Sequence, residues 1–459
     1  MADLNELRAA HAAMALAGVP EHIERVSWDD GTLAAHRERA LHALLKVAGE
    51  RSPWHRARLV GVATDAVTPD DLTALPTMTK RDVMAHFDDI VTDPRVRLAE
   101  VEAHLATAAD GGYLFDEYTP LATGGSTGRR MVMVFDRRGL ADWWLSVFRC
   151  MFAWRAADAE LSRRQMVVCW VTASHASHVS AALARTFNAP GFQNVSLPVT
   201  LPWAQIVDGL NAAQPDLVIG YPTALLRLTM DANAGRLRIS PGRVMSAGEP
   251  LLPEVRAVLE RTWPGQLGNR WASTEGGAHT ATCDAGFEHV AEDQLILEPV
   301  DEHNRPVPPG TRSAKVLLTN LFNAALPLIR YEISDEVTVL PGDCPCGSPT
   351  MRIADIQGRA DDIFVYAGAH IHPHVFRSVL GRRPQVIEYR VRQTSTGADV
   401  DICRTGELDV AELREELEHG LAAAGLPGAR VQVCVRSGPL DRSAETGKFK
   451  RFVPLAVTA

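Results

Sequence analysis

Over the first sixty residues, apolar positions recur at helical spacing. Leu41, Leu44, Leu45 and Ala48 fall on one face of a 3.6-residue repeat, and the pattern predicts helix from Leu4 to about Leu59. Ser52-Pro53 interrupts it, because proline has no amide hydrogen and disfavours a helical residue before it. Thr79 followed by Asp82 is a hydroxyl residue with an acid three positions later, the start signal of a further helix. From about residue 118 to 339 the pattern changes. Short apolar runs at 165–171, 216–220 and 243–247 alternate with amphipathic stretches, which predicts a sheet covered by helices. Val307-Pro-Pro-Gly310 reads as a turn leading into a strand at 315–320. Beyond Asp355 the elements shorten. Strands at 363–366, 385–391 and 431–435 flank helices at 375–380 and 410–424. The expected fold class is α/β: a large N-terminal domain of residues 1–356 with sheets and packed helices, then a small α+β domain of residues 357–459.

Composition narrows the partners. With 459 residues and 46% hydrophobic content, the chain can bury a large core in at least two domains. A formal charge of -9 argues against a general nucleic-acid binder, whose affinity needs a basic surface. Met1-Ala-Asp-Leu-Asn-Glu6 lacks the basic-then-apolar signature of a secretory signal, and no uninterrupted apolar stretch is long enough to span a membrane. A cytoplasmic protein with neither a nucleic-acid nor a membrane partner is expected. For oligomeric state, a homodimer is only the default.

Candidate chemistry centres on Leu121-Ala-Thr-Gly-Gly-Ser-Thr-Gly-Arg-Arg130, which runs into the strand-like 131–135. Gly124, Gly125 and Gly128 let the backbone turn sharply and approach a ligand. Successive amides in such a turn suit an anion, and Thr123, Ser126, Thr127 and the two arginines add hydroxyls and positive charge. A phosphate loop is the leading reading, and a bland surface loop is its plain alternative. The same letters satisfy G-x-S-x-G, but a nucleophile elbow needs a helix after the serine, and a strand is expected here.

Four further segments follow in order: Trp271-Ala-Ser-Thr-Glu275, Arg330-Tyr-Glu-Ile-Ser-Asp335, Gly358-Arg-Ala-Asp-Asp-Ile-Phe-Val-Tyr-Ala-Gly368 and Thr446-Gly-Lys-Phe-Lys-Arg451. Together the five segments resemble the adenylate-forming superfamily of acyl-CoA synthetases, NRPS adenylation domains and luciferases. Arg51-Ser-Pro-Trp-His55, Gly220-Tyr-Pro-Thr223 and Ser246-Ala-Gly-Glu249 resemble its phenylacetate-CoA ligase-like subgroup.

The resemblance implies that a carboxylic acid attacks ATP to give an acyl-adenylate, which then passes to a thiol. Thr123, Gly124, Gly125, Ser126, Thr127 and Gly128 would cradle the phosphates, although the family's lysine-proline after this loop is replaced by Arg129-Arg130. Thr274 would contact phosphate and Glu275 would hold magnesium (Mg2+). Ala247, Gly248 and Glu249 would line the adenine pocket, with Trp271 packing on the base unless it is an ordinary core tryptophan. Asp335 would bind the ribose hydroxyls, although Ile333-Ser334 stand where the family often has Thr-Gly; without the resemblance, Arg330 and Asp335 read as a solvated pair. Arg359 would approach the ribose or phosphate, and Asp361 would be the hinge of a mobile C-terminal domain, with Asp362 its confusable neighbour. Lys448 would bridge carboxylate and α-phosphate. His175 and Tyr221 would approach the acyl group, which is expected to be aryl or otherwise compact. The acceptor is coenzyme A, or alternatively a carrier protein's phosphopantetheine or an amine. A non-catalytic, zinc-stabilised binding protein is the contrasting reading.

Of seven cysteines, Cys150, Cys169, Cys403 and Cys434 read as buried thiols. Cys344-Pro-Cys346 and Cys283 with His289 suit a closed tetrahedral zinc (Zn2+) site, and similar pairs hold a structural zinc in some members of the resembled subgroup. His279 is the rival fourth ligand, and a redox-sensitive Cys-Pro-Cys turn or unrelated surface thiols are the alternatives.

Overall fold

The computed structural model describes residues 3–107, 112–122, 131–172, 179–187, 189–354, 356, 362–383, 385–438, 440–443 and 448–455. The N-terminal region folds as helices Leu4–Ala17, Val19–Glu24, Asp30–Arg51 and Pro53–Arg58. Ser52 separates the last two: it terminates one, and its Oγ accepts the His55 amide to cap the next. Leu41, Leu44, Leu45 and Ala48 are buried against Leu72, Leu75, Ile296 and Ile329, as their spacing predicts. Each leucine fully buried in this way contributes about 1.5–3 kcal/mol. Thr79 and Asp82 form the expected reciprocal cap of helix Lys80–Ala85.

The central sheet has five parallel strands in the spatial order Phe192–Ser196, Met166–Val171, Leu217–Gly220, Arg243–Ala247, Leu267–Arg270. Its three inner strands are nearly continuous apolar runs because helices cover both faces, whereas the edge strands Phe192–Ser196 and Leu267–Arg270 are more polar. From Met166–Val171 the chain first turns to one side, then crosses to the other. Such a reversal opens a crevice at the carboxyl ends of the strands.

Two antiparallel sheets follow. One contains Leu295–Val300, Lys315–Asn320 and Tyr331–Ile333. The other is ordered Thr280–Thr282, Glu288–Val290, Arg352–Ala354, Thr338–Val339. Past residue 362 the chain builds its own core around Phe364, Phe376, Val400 and Leu417. There the sheet order is Arg430–Arg436, Gly397–Arg404, Val386–Thr394, Phe452–Val453, with helices His374–Leu380 and Val410–Ala423. Among the described residues no helix is long and apolar enough to cross a membrane.

Candidate active site and cysteine-histidine cluster

The carboxyl ends of the parallel strands open into a cavity of about 1490 Å³. Tyr221, Ala247, Gly248 and Glu249 line it from two strand ends, and Trp271, Thr274 and Glu275 from the segment after the last strand. Asp335 and, from the C-terminal segment, Lys448 complete the set. Residues drawn from five separate sequence segments therefore meet in one space. The remaining predicted positions, Thr123–Gly128, His175, Arg359 and Asp361, lie outside the described residues. Strands Tyr118–Ala122 and Val132–Asp136, which flank the glycine loop, are paired antiparallel with Ala122 opposite Val132. A strand therefore follows the loop, where a nucleophile elbow needs a helix.

Gly248 has φ +79°, and a Cβ there would stand 2.8 Å from the Tyr221 ring and 3.8 Å from Lys448 Cε. Only glycine tolerates both the left-handed backbone and that approach. The observation also places the lysine stem directly over the Ala247-Gly248 turn.

The Ser273–Gly276 turn is held from three sides. Trp143 Nε1 donates to the Thr274 carbonyl at 3.2 Å, and Asn320 Nδ2 donates to the Glu275 carbonyl at 2.6 Å. Ser273 Oγ accepts the Gly276 amide and pairs with His279 Nε2 at 2.9 Å. Burial holds the His279 pKa down at about 3, so the ring stays neutral. Trp271 packs among Val290, Leu295 and Leu318 with its ring edge-on to His279, so it is a core residue and a cavity wall at once. Arg330 is not paired with Asp335 in a solvated couple. It is buried, held by Glu298 and donating to the Leu75 carbonyl.

One compartment of the cavity is aromatic. Trp143, Trp144 and Phe148 project from helix Arg137–Ala157, whose start is capped by Asp136. Trp144 stacks on Phe187 at 4.8 Å, and Phe148 meets Trp170 edge-on at 5.5 Å. Trp170 Nε1 donates to Asn194 Oδ1 at 3.0 Å.

Glu249 does more than line the cavity. Its Oε2 accepts the Thr223 hydroxyl at 2.7 Å, and its Oε1 accepts the Phe449 amide at 2.8 Å. Arg442 lies 3.6 Å from the same carboxylate and donates to Thr223 and to Glu388. Arg377–Glu254 at 3.7 Å and His372–Glu336 at 3.6 Å also cross between the C-terminal segment and the rest. In all three pairs the basic group is C-terminal and the carboxylate belongs to the core. Arg442, Asn320 and Trp143 were not singled out by sequence, and Thr223 entered only as the end of the Gly220–Thr223 segment, because their roles depend on tertiary neighbours that carry no local pattern.

The cysteine-histidine residues also meet. The ligand atoms of Cys283, His289, Cys344 and Cys346 all lie within 4.8 Å of one another. Cys283 Sγ is 3.9 Å from Cys344 Sγ, and Cys346 Sγ is 3.4 Å from His289 Nε2. His289 Nδ1 is 2.9 Å from Thr350 Oγ1, which fixes the ring and turns Nε2 toward the thiols. His279 takes no part; its Nε2 is committed to Ser273.

No family model matches the chain. A 130-residue stretch is 31% identical to phenylacetate-coenzyme A ligase of Thermus thermophilus, covering 28% of this chain and 27% of that one. The corresponding Pseudomonas putida protein is 26% identical over 44% of this chain and 46% of its own, so the matched regions span less than half of these two relatives. Against phenylacetate-coenzyme A ligase of Aromatoleum evansii, 22% identity extends over 94% of this chain and 96% of that one. Among solved structures, 2-hydroxyisobutyryl-CoA ligase in the postadenylation state with R3-HIB-AMP matches at TM-score 0.69 and 19% identity, over 94% of this chain and 91% of that chain. The fold is that of adenylate-forming enzymes. The curated relatives that align over most of the chain are phenylacetate-coenzyme A ligases, at 22–23% identity.

Proposed function

We propose that the protein is an AMP-forming acid–CoA ligase acting on an aryl or otherwise compact carboxylic acid. The observation that carries this reading is the meeting of Thr274, Glu275, Asp335 and Lys448 beside an aromatic compartment. The acid's carboxylate oxygen attacks the α-phosphorus of ATP, the bond to the β-phosphate oxygen breaks, and pyrophosphate leaves. A thiol of coenzyme A then adds to the acyl carbon, loses its proton, and expels AMP. Lys448 offsets negative charge that gathers between carboxylate and α-phosphate. Asp335 offers two acceptor oxygens to the ribose hydroxyls. Glu275 would hold magnesium, which supplies charge neutralisation to the phosphates when bound. The aromatic walls exclude water and favour a flat apolar acyl group over a long flexible chain.

Acid-dependent ATP–pyrophosphate exchange without thiol, over aryl, short-chain and long-chain acids, tests this. Exchange confined to aryl and compact acids is expected, with thioester and AMP appearing once coenzyme A is added. Exchange with no acid in any class would overturn the proposal.

The bonds around Glu249 give a separate expectation. They tether the Phe449 backbone, and so Lys448 beside it, to the core. Arg442→Ala should slow pyrophosphate exchange about tenfold, the effect of losing roughly 1.4 kcal/mol of positioning. Thioester formation from pre-made acyl-adenylate should stay within twofold of the unsubstituted protein. Equal losses in both steps would show that Arg442 only supports the fold.

The Cys283, His289, Cys344 and Cys346 group fits a structural zinc. Tetrahedral Zn–S bonds of about 2.3 Å put two sulfurs about 3.8 Å apart, against the 3.9 Å between Cys283 and Cys344. Four protein ligands would leave no open position, so the metal would support the fold rather than the reaction.

A further inference from the structure

Arg270 ends the last parallel strand, is 4% exposed, and lines the cavity. Its Nη1 donates to the Ser146 carbonyl at 3.3 Å, and its Nε has no hydrogen-bond partner. Among the described residues no carboxylate lies within 4.0 Å of it. The other buried arginines are better served. Arg149 is paired bidentately with Asp293 and Arg330 with Glu298, and Arg377 has the Glu254 carboxylate 3.7 Å away. Arg352 donates to two carbonyls and lies over the Phe287 ring. A buried guanidinium with one long hydrogen bond and no counter-ion is costly. That cost is offset if the counter-ion arrives with the substrate.

Position supports this. Arg270 is the register partner of Ala247, so its Cα lies about one strand spacing, roughly 4.8 Å, from the turn beneath Lys448. Its bond to Ser146 directs the guanidinium to helix Arg137–Ala157, between the turns that carry Trp143, Val147 and Phe148 into the aromatic compartment. We propose that Arg270 recognises a second carboxylate on the acid, so that the substrate is an aryl acid with one carboxylate to be activated and another to be held. The proposal rests on the ligase reading above. A planar guanidinium suits this task because two of its N–H groups can meet both oxygens of one carboxylate.

The test compares phenylacetate with 2-, 3- and 4-carboxyphenylacetate on the whole protein, Arg270→Met and Arg270→Lys. Binding is read without ATP by quenching of tryptophan fluorescence, since Trp143, Trp144 and Trp170 wall the cavity, and turnover by pyrophosphate exchange. At least one carboxyphenylacetate should bind the unsubstituted protein tenfold or more tightly than phenylacetate. Arg270→Met should erase that preference while changing phenylacetate affinity less than threefold, and Arg270→Lys should keep part of it. Thermal unfolding establishes that each variant is folded. Preference for phenylacetate, or equal losses for both ligands in Arg270→Met, would overturn the proposal. Tight, Arg270-dependent binding without exchange would support the carboxylate pairing and count against the ligase reading. Exchange without any preference would do the reverse.

Discussion

Lys448→Ala is expected to reduce acid-dependent pyrophosphate exchange by about 10²–10³-fold, the usual effect of removing one group that offsets developing charge in a transition state. The geometry explains why no neighbour replaces it. The lysine stem crosses Gly248 beside the Tyr221 ring, and Lys448 lines the same cavity as Thr274 and Glu275. The backbone on either side is also fixed: the Lys448 carbonyl accepts the Ser443 amide at 3.0 Å, and the next amide is bound by Glu249. Lys450 is exposed, and its carbonyl is taken by Arg390, so Lys450→Ala should stay within a few-fold of the unsubstituted protein. The informative measurement pairs this exchange with thioester formation from pre-made acyl-adenylate. Charge stabilisation of the first step predicts a large loss there and a small one in the second. If Lys448→Ala exchanged at the original rate, the assignment of Lys448 would fail, and with it the chemistry proposed for the cavity.

Much of the architecture was legible where local pattern and tertiary demand agree. The runs at 165–171, 216–220 and 243–247 became Met166–Val171, Leu217–Gly220 and Arg243–Ala247, because strands covered on both faces must be apolar throughout. Gly397–Arg404 was missed because Asp399 and Asp401 weaken its strand signal. In the folded chain Asp401 is buried between Arg392 of the paired strand and Arg436, a compensation that strand pairing supplies and propensity does not show. Site residues divide in the same way. Tyr221, Gly248, Glu275, Asp335 and Lys448 sit in recognisable segments, and they meet in one cavity. The roles of Thr223 and Arg442 at Glu249, and the isolation of Arg270, are properties of packing. For the fourth position of the cysteine cluster, spacing left His279 and His289 open. In the folded chain the His289 ligand atom lies within 4.8 Å of those of Cys283, Cys344 and Cys346, while the His279 ring is edge-on to Trp271 and bound to Ser273.

Substituting two of the clustered thiols, Cys344→Ser with Cys346→Ser, should abolish bound zinc and lower thermal stability. One zinc per chain is expected by elemental analysis of the unsubstituted protein. The cluster joins two turns that Arg352 also bridges, donating to the Pro341 and Gly342 carbonyls and lying over the Phe287 ring. Cys283 closes a tight turn between Thr280–Thr282 and Glu288–Val290, and Cys344 closes another through the Gly347 amide. These turns border the active-site wall: on the strand between them and the central sheet, Glu288 accepts from Asn269 Nδ2 at 2.6 Å and from Thr280. Asn269 immediately precedes Arg270 and Trp271. Losing the tie should cost about 3 kcal/mol, at the upper end of ordinary substitution effects. At about 2–4 °C per kcal/mol for a domain of this size, the midpoint should fall by roughly 6–12 °C. Exchange activity at low temperature should fall less than the zinc content does, because a metal closed by four protein ligands takes no part in the reaction. Cys434→Ser, away from the cluster, should leave both metal and midpoint unchanged. A double variant that kept the original midpoint, or an unsubstituted protein without zinc, would remove the metal from this fold. Exchange lost in proportion to zinc, with the midpoint unchanged, would instead give the metal a place in the chemistry.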